Sequence, residues 1–141
     1  MNAIETQSLA IAEITAQAKK VLHTEQGLKL AILYGSAATG KLRTDSDVDI
    51  ALLLDCPLSA ERKMELISRL ERELRREVDL VDLFSSSGTI LKQVLSKGRV
   101  LIQTKPGKLA GLVRKMIYNQ ADMMPYVSRT LIERQRRFIR G

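Results

Sequence analysis

Apolar residues recur over positions 4–24 at Ile4, Ile11, Ile14, Ala18, Val21 and Leu22, mostly three, four and seven apart. This spacing predicts an amphipathic helix, which Gly27 ends. The pattern then changes. Leu28 to Tyr34 is a short apolar run that reads as a strand and stops at Gly35-Ser36. The stretch AATGKLRTDS, with Gly40 among small polar residues, predicts a loop, or a short helix followed by a loop. Asp47 to Leu54 is a second strand, halted by Asp55-Cys56-Pro57. Ser59 is placed to N-cap a helix running to about Arg75 and expected to bury Met64, Ile67, Leu70 and Leu74. Arg62 stands where a capping box needs Glu, so the box is absent. Glu77 to Phe84 reads as a third strand, Ser85 to Gly88 as a polar loop, and Thr89 to Lys97 as a short helix with Gly98 as its C′ residue. Val100 to Gln103 is a last short strand. Lys105-Pro106-Gly107 marks a linker, and Leu109 to Arg140 reads as helical with a break at Pro125.

Strands alternating with helices predict an α/β (α+β) sandwich: a small mixed sheet with helices on one side and an open face on the other. The open face is required by chemistry, because aspartates on it could not lie charged under a packed helix without large cost. With 141 residues, the chain is expected to form one domain. Residues 1–104 would be the core with its N-terminal helix, and 108–141 a C-terminal helical segment of the same domain.

The chemistry gathers in LAILYGSAATGKLRTDSDVDIALLLD, where Gly35-Ser36 is followed after ten residues by Asp47-Val48-Asp49. Alternate aspartates on a strand project to one face. With a third carboxylate nearby they can hold divalent cations against a polyphosphate, while a small-residue turn offers backbone N–H groups to phosphate oxygens. Nucleotidyl transfer is the reaction such parts suggest. Four such matches fall together at a given position with chance odds of about one in 10⁵; the competing reading is an ordinary turn and a solvated strand end. Asp45-x-Asp47 would also make a pair, but Ile50 to Leu54 places Asp47 and Asp49 on the strand and Asp45 in the loop. The third carboxylate is Asp79 or Asp82 of EVDLVDLF; three apart, they lie on opposite faces of a strand, so only one can join the pair. Gly35 allows close approach to phosphate, and Ser36 adds a hydroxyl. Lys41 and Arg43 lie within reach of a triphosphate, or are merely solvated.

These residues resemble the signature of the DNA polymerase β-type nucleotidyltransferase superfamily. Within it, the run from Leu30 to about Leu101 is most similar to the minimal nucleotidyltransferases of MntA-type antitoxins, partners of HEPN-domain HepT toxins. The resemblance implies a nucleotidyltransferase-like fold in which Asp47 and Asp49 ligate two Mg²⁺ ions. The Val-Asp-Leu-Val run places the third ligand and general base at Asp79. Gly35 and Ser36, with Lys41 and Arg43, would contact the nucleotide. It also implies ATP as substrate, and transfer of AMP to a tyrosine hydroxyl of a cognate HEPN toxin in a hetero-oligomer. Two other readings stand beside it: a small-molecule nucleotidyltransferase of the aminoglycoside-modifying kind, and a non-catalytic antitoxin acting by steric cover. His23, the lone histidine, lacks the upstream arginine of the Arg-x4-6-His motif of HEPN ribonucleases, so the chain is not the toxin.

Composition narrows the setting. An apolar share of 45% with 28% charged residues is ordinary for a soluble domain. The first twenty residues carry acids and no unbroken apolar run, so neither a signal peptide nor a membrane span is expected. A lone Cys56 cannot form an internal disulfide and fits a reducing compartment, the cytoplasm. The net charge of +7 concentrates in residues 108–141, with eight Lys/Arg against two acids. A solvated helix face, docking to an acidic partner, and nucleic-acid contact are its readings in that order; direct nucleic-acid binding is not expected.

Overall fold

A computed structural model describes residues 3–43, 45–86 and 88–104, with positions 107, 110, 111 and 114. The first apolar stripe forms α1 (Ala3–Leu22) and buries Ile11, Ile14, Ala18, Val21 and Leu22. His23 follows on the surface, its N–H donating to Lys19 O at 2.8 Å. Then come β1 (Leu28–Tyr34), α2 (Ser36–Thr39), β2 (Val48–Leu54), α3 (Ala60–Leu74), β3 (Val78–Asp82), α4 (Gly88–Lys97) and β4 (Arg99–Gln103). The four strands form one sheet in the order β3-β2-β1-β4, with β2 and β3 parallel and the other pairs antiparallel. A parallel pair needs a crossover, and α3 supplies it. This is the mixed α/β sheet expected. Among the described residues, no helix is long and apolar enough to cross a membrane.

The two faces of the sheet are covered unequally. On one, α1 and α3 pack over Ala31, Leu33, Ile50, Leu52 and Leu80 to make the main core. On the other, Leu30, Ile32, Tyr34 and Ala51 meet Leu83 and, from α4, Leu91 and Val94 with the half-buried Leu95. The two long helices thus share one side as expected, and α4 adds a partial cover on the opposite face.

Two readings of single residues change. Ser59 does cap α3, its Oγ accepting from Arg62 N at 3.2 Å. The buried stripe, however, is Leu66, Leu70 and Leu74, with Ile67 half-buried and Met64 70% exposed. Leu66, Leu70 and Leu74 recur every four residues and set the phase of the helix; Met64 falls outside that stripe. Gly98 follows α4 as expected, donating to Val94 O at 2.9 Å, yet it is not among the positive-φ glycines. It is small for another reason: a Cβ there would lie 2.4 Å from Ile32 Cγ2 and 2.3 Å from Val94 O, so a side chain would push the end of α4 off β1. The helix expected over Leu109–Arg140, its break at Pro125 and the basic segment lie outside the described residues, those isolated positions apart.

Candidate active site

Strand register assembles the site. Across β1 and β2, Tyr34 pairs with Asp49; across β2 and β3, Asp49 pairs with Asp79. Neighbouring strands lie about 4.8 Å apart, so partners in register share one patch of the sheet face. Asp47 stands one residue before β2. It and Asp79 are exposed at the strand ends, whereas Asp49, between two strands, is half-buried.

Burial pushes the Asp49 carboxyl above the ordinary carboxylate range, and the charges of Asp79 and then Asp47 push it further. The buried Tyr34 hydroxyl beside it is pushed up to about 12, by burial first and then by Asp49 and Asp79. All three carboxylates therefore act on one small volume. The ion pairs found among the described residues, Lys20–Glu73, Arg62–Glu25 and Arg69–Glu25, involve none of them. Among the described residues, no group of three carboxylates stands ready to hold a cation. The donor set suits one: hard carboxylate oxygens, mutually repelling, at an open edge.

Gly35 closes the patch from the side. Its backbone, at φ 70° and ψ −150°, occupies a region that residues with a Cβ scarcely enter. A Cβ there would lie 2.2 Å from Asp49 Oδ2, so the turn passes directly against that carboxylate. Its carbonyl accepts from Ala38 N at 3.1 Å and Thr39 N at 3.2 Å, folding Ser36–Thr39 into the single turn of α2. Ser36 is half-buried and its carbonyl accepts from Lys41 N at 3.0 Å. Lys41 and Arg43 are exposed on the loop that leads to Asp47, and Asp45 is exposed in the turn just before it.

The two candidates of β3 are separated by their partners. Asp79 is in register with Asp49; Asp82 is in register with Leu52, towards the other end of the sheet. Asp82 Oδ2 accepts from Leu58 N at 3.0 Å and Oδ1 from Phe84 N at 2.9 Å, tying the loop after β2 to the turn after β3. Asp82→Ala should accordingly strand two N–H groups and cost about 1–3 kcal/mol. A lower Tm with near wild-type activity is the expected result, and loss of activity in a folded Asp82→Ala variant would reassign the site. One residue of the neighbourhood carried no signal in the sequence: Arg76, in an arginine-rich helix end, reaches over to the loop before Asp47.

With this geometry in place, comparison with known proteins decides the family. The profile described as "Polymerase beta, Nucleotidyltransferase" matches residues 16–107, which span all four strands and every site residue. The chain belongs to the DNA polymerase β-type nucleotidyltransferase family. Among members of this nucleotidyltransferase family, it is 38% identical over 78 residues to the protein adenylyltransferase MntA of Shewanella oneidensis. That alignment covers 55% of this chain and 56% of MntA, so the chain spans a little over half the length of that relative. The nucleotidyltransferase fold superposes on a chain of a crystal structure of a toxin–antitoxin with AMP-PNP, with a TM-score of 0.69 and 28% identity over 83% of this chain and 98% of that one. It also superposes on a chain of the complex of tri-AMPylated Shewanella oneidensis HEPN toxin with MNT antitoxin, with a TM-score of 0.60 and 26% identity over 89% and 98% of the two chains.

Proposed function

We propose that this chain is the antitoxin of a toxin–antitoxin pair and, in the cytoplasm, transfers AMP from ATP to a tyrosine hydroxyl of a partner HEPN toxin. The observation that carries the reading is the register that sets Asp49 beside Asp79, with Asp47 next to the pair and the Gly35 backbone against Asp49. Its similarity to MntA and to chains of toxin–antitoxin complexes supports the choice of acceptor.

Asp47, Asp49 and Asp79 would hold Mg²⁺, two ions in this reading, which when bound neutralise charge on the entering and leaving oxygens. The turn at Gly35-Ser36 brings backbone and hydroxyl to the polyphosphate, and Lys41 and Arg43 lie on the loop beside it. Asp79 is exposed, so a tyrosine presented by another chain can come within hydrogen-bond reach. Its carboxylate takes the phenolic proton as the tyrosine oxygen attacks the α-phosphorus, and pyrophosphate leaves. Asp47 and Asp79 at an open edge suit an acceptor held by a partner rather than enclosed in a pocket.

Incubation with α-³²P-labelled ATP, Mg²⁺ and the candidate partner tests this directly. Label should pass to a tyrosine of the partner, chelation should stop it, and the labelled partner should lose ribonuclease activity. Binding and silencing of the partner without any transferred label would overturn the reading.

A further inference from the structure

Asp47 belongs to no ladder of its own, because β2 begins at Val48, yet both residues that flank it are fastened. Arg76 Nη1 donates to Ser46 O at 3.3 Å and to Arg43 O at 2.7 Å, while Val48 N donates to Glu77 O at 2.8 Å. Both anchors thus come from one dipeptide, Arg76-Glu77, and Asp79 follows two residues later. The loop is itself knotted where the guanidinium touches it. Ser46 N donates to Arg43 O at 3.2 Å, and Arg43 N donates to Ser46 Oγ at 2.8 Å. The approach of Arg76 is prepared by Arg75, which ends α3 at φ 55° with its N–H donating to Glu71 O at 2.8 Å. This left-handed turn is one that non-glycine residues seldom make.

We propose that Arg76 is a positioning residue for AMP transfer, its guanidinium clamping the loop before β2 and so fixing Asp47 relative to Asp79. The clamp rests on the reading of Asp47 as a cation-holding carboxylate. A guanidinium suits the task because its planar fork carries several donors at fixed angles and can serve two carbonyls at once. The Glu77 anchor uses only backbone and needs no particular side chain. The two carbonyls it holds, of Arg43 and Ser46, both lie in the loop before β2 and in no strand, so its loss should loosen the loop and leave the sheet intact.

Arg76→Ala and Arg76→Lys in the full chain test the proposal by two independent readouts. Amide hydrogen exchange, with no nucleotide or metal added, should quicken about tenfold or more at Ser46 and Val48 in Arg76→Ala. The amides of Ile32 and Leu33 in β1 should keep their wild-type protection, and Tm should fall by about 3 °C or less. In steady-state transfer, kcat should fall by about 10–100-fold while KM for ATP moves less than about threefold, as expected for a displaced carboxylate. Arg76→Lys, still able to reach one carbonyl, should recover part of both. Unchanged exchange at Ser46 and Val48, or exchange that quickens equally in β1, would overturn the clamp, as would an unchanged kcat. If the wild-type chain transferred no AMP, the proposed function would fail on that result alone, and exchange would still decide whether Arg76 holds the loop.

Discussion

Asp49→Asn should melt above the wild-type chain in the presence of a chelator and yet transfer AMP about a thousandfold or more slowly. The first half follows from burial and like charge, which together hold the Asp49 carboxyl above its ordinary range. A carboxyl whose pKa is higher folded than unfolded favours the protonated fold. That contribution is fully present below the unfolded value of about 4 and is lost as pH rises through the folded value. At neutral pH the ionised Asp49 therefore weighs against the cation-free fold. A neutral amide of the same shape removes that weight, so Tm should rise. The gain should shrink as pH is lowered through the carboxylate range. The second half follows from the proposed role of Asp49 as a cation ligand, where a lost charge forfeits several kcal/mol of transition-state stabilisation. Mg²⁺ with ATP should raise the Tm of the wild type by mass action and leave Asp49→Asn nearly unmoved. Asp47→Asn should lose transfer with a smaller gain in Tm, because its charge is the least of the three causes acting on Asp49. Thermal melts with EDTA and with Mg²⁺-ATP, beside initial rates, check all of this; near wild-type transfer by Asp49→Asn would remove it from the site.

Gly35→Ala should do comparable harm by a different route. The new methyl would arrive 2.2 Å from Asp49 Oδ2 and 3.1 Å from its Cγ, at a backbone φ of 70°. Asp49 can relieve the contact by rotating, since the clash is with the free end of its side chain. That rotation moves the carboxylate out of the place it holds in the wild-type site. The backbone has no such escape, and its strain should cost about 2–3 kcal/mol, lowering Tm by roughly 5–10 °C. Activity should fall by at least about a hundredfold even at temperatures where the variant is fully folded by circular dichroism. Gly40→Ala is the control. Gly40 lies in the milder left-handed α region, at φ 76° and ψ 17°, and a Cβ there meets nothing within 4 Å, so the variant should lose less stability and keep most of the transfer. Equal activity losses in the two variants would mean that contact with Asp49 is not what matters at Gly35.

The elements were legible because each has a strong local cause: a helical stripe from Ile11 to Leu22, an apolar run at Leu28–Tyr34, a cap at Ser59. The pairing of the strands was only partly so. That the two carboxylate strands meet was foreseeable from chemistry, but their parallel direction depends on α3 crossing over, and the place of β4 beside β1 on contacts some seventy residues apart. The side taken by α4 was not readable, because its apolar residues pack equally well under either face. Met64 and Leu66 are both apolar, and only the phase of α3 against the sheet separates them. Gly98 was readable as small at a helix end; the closeness of Ile32 is a tertiary fact. Asp79 could be preferred over Asp82 only through resemblance, until register gave each its partners. Arg76 was invisible for a deeper reason: it acts on backbone carbonyls, which any loop sequence presents.

The order of the sheet also bears on how this chain leaves the ribosome. The candidate site needs only β1, β2 and β3, whose residues are complete by Asp82, whereas the outer edge of β1 is not covered until β4 has been made. Until then LKLAILY presents an unpaired strand edge, with Leu30, Ile32 and Tyr34 still without the cover of Leu91 and Val94. Such a bare apolar edge is a template for pairing with another copy. The segment from α4 to β4 thus serves the newborn chain as a shield against aggregation, and stalled translation before Gln103 would leave product prone to precipitate, carboxylates and all.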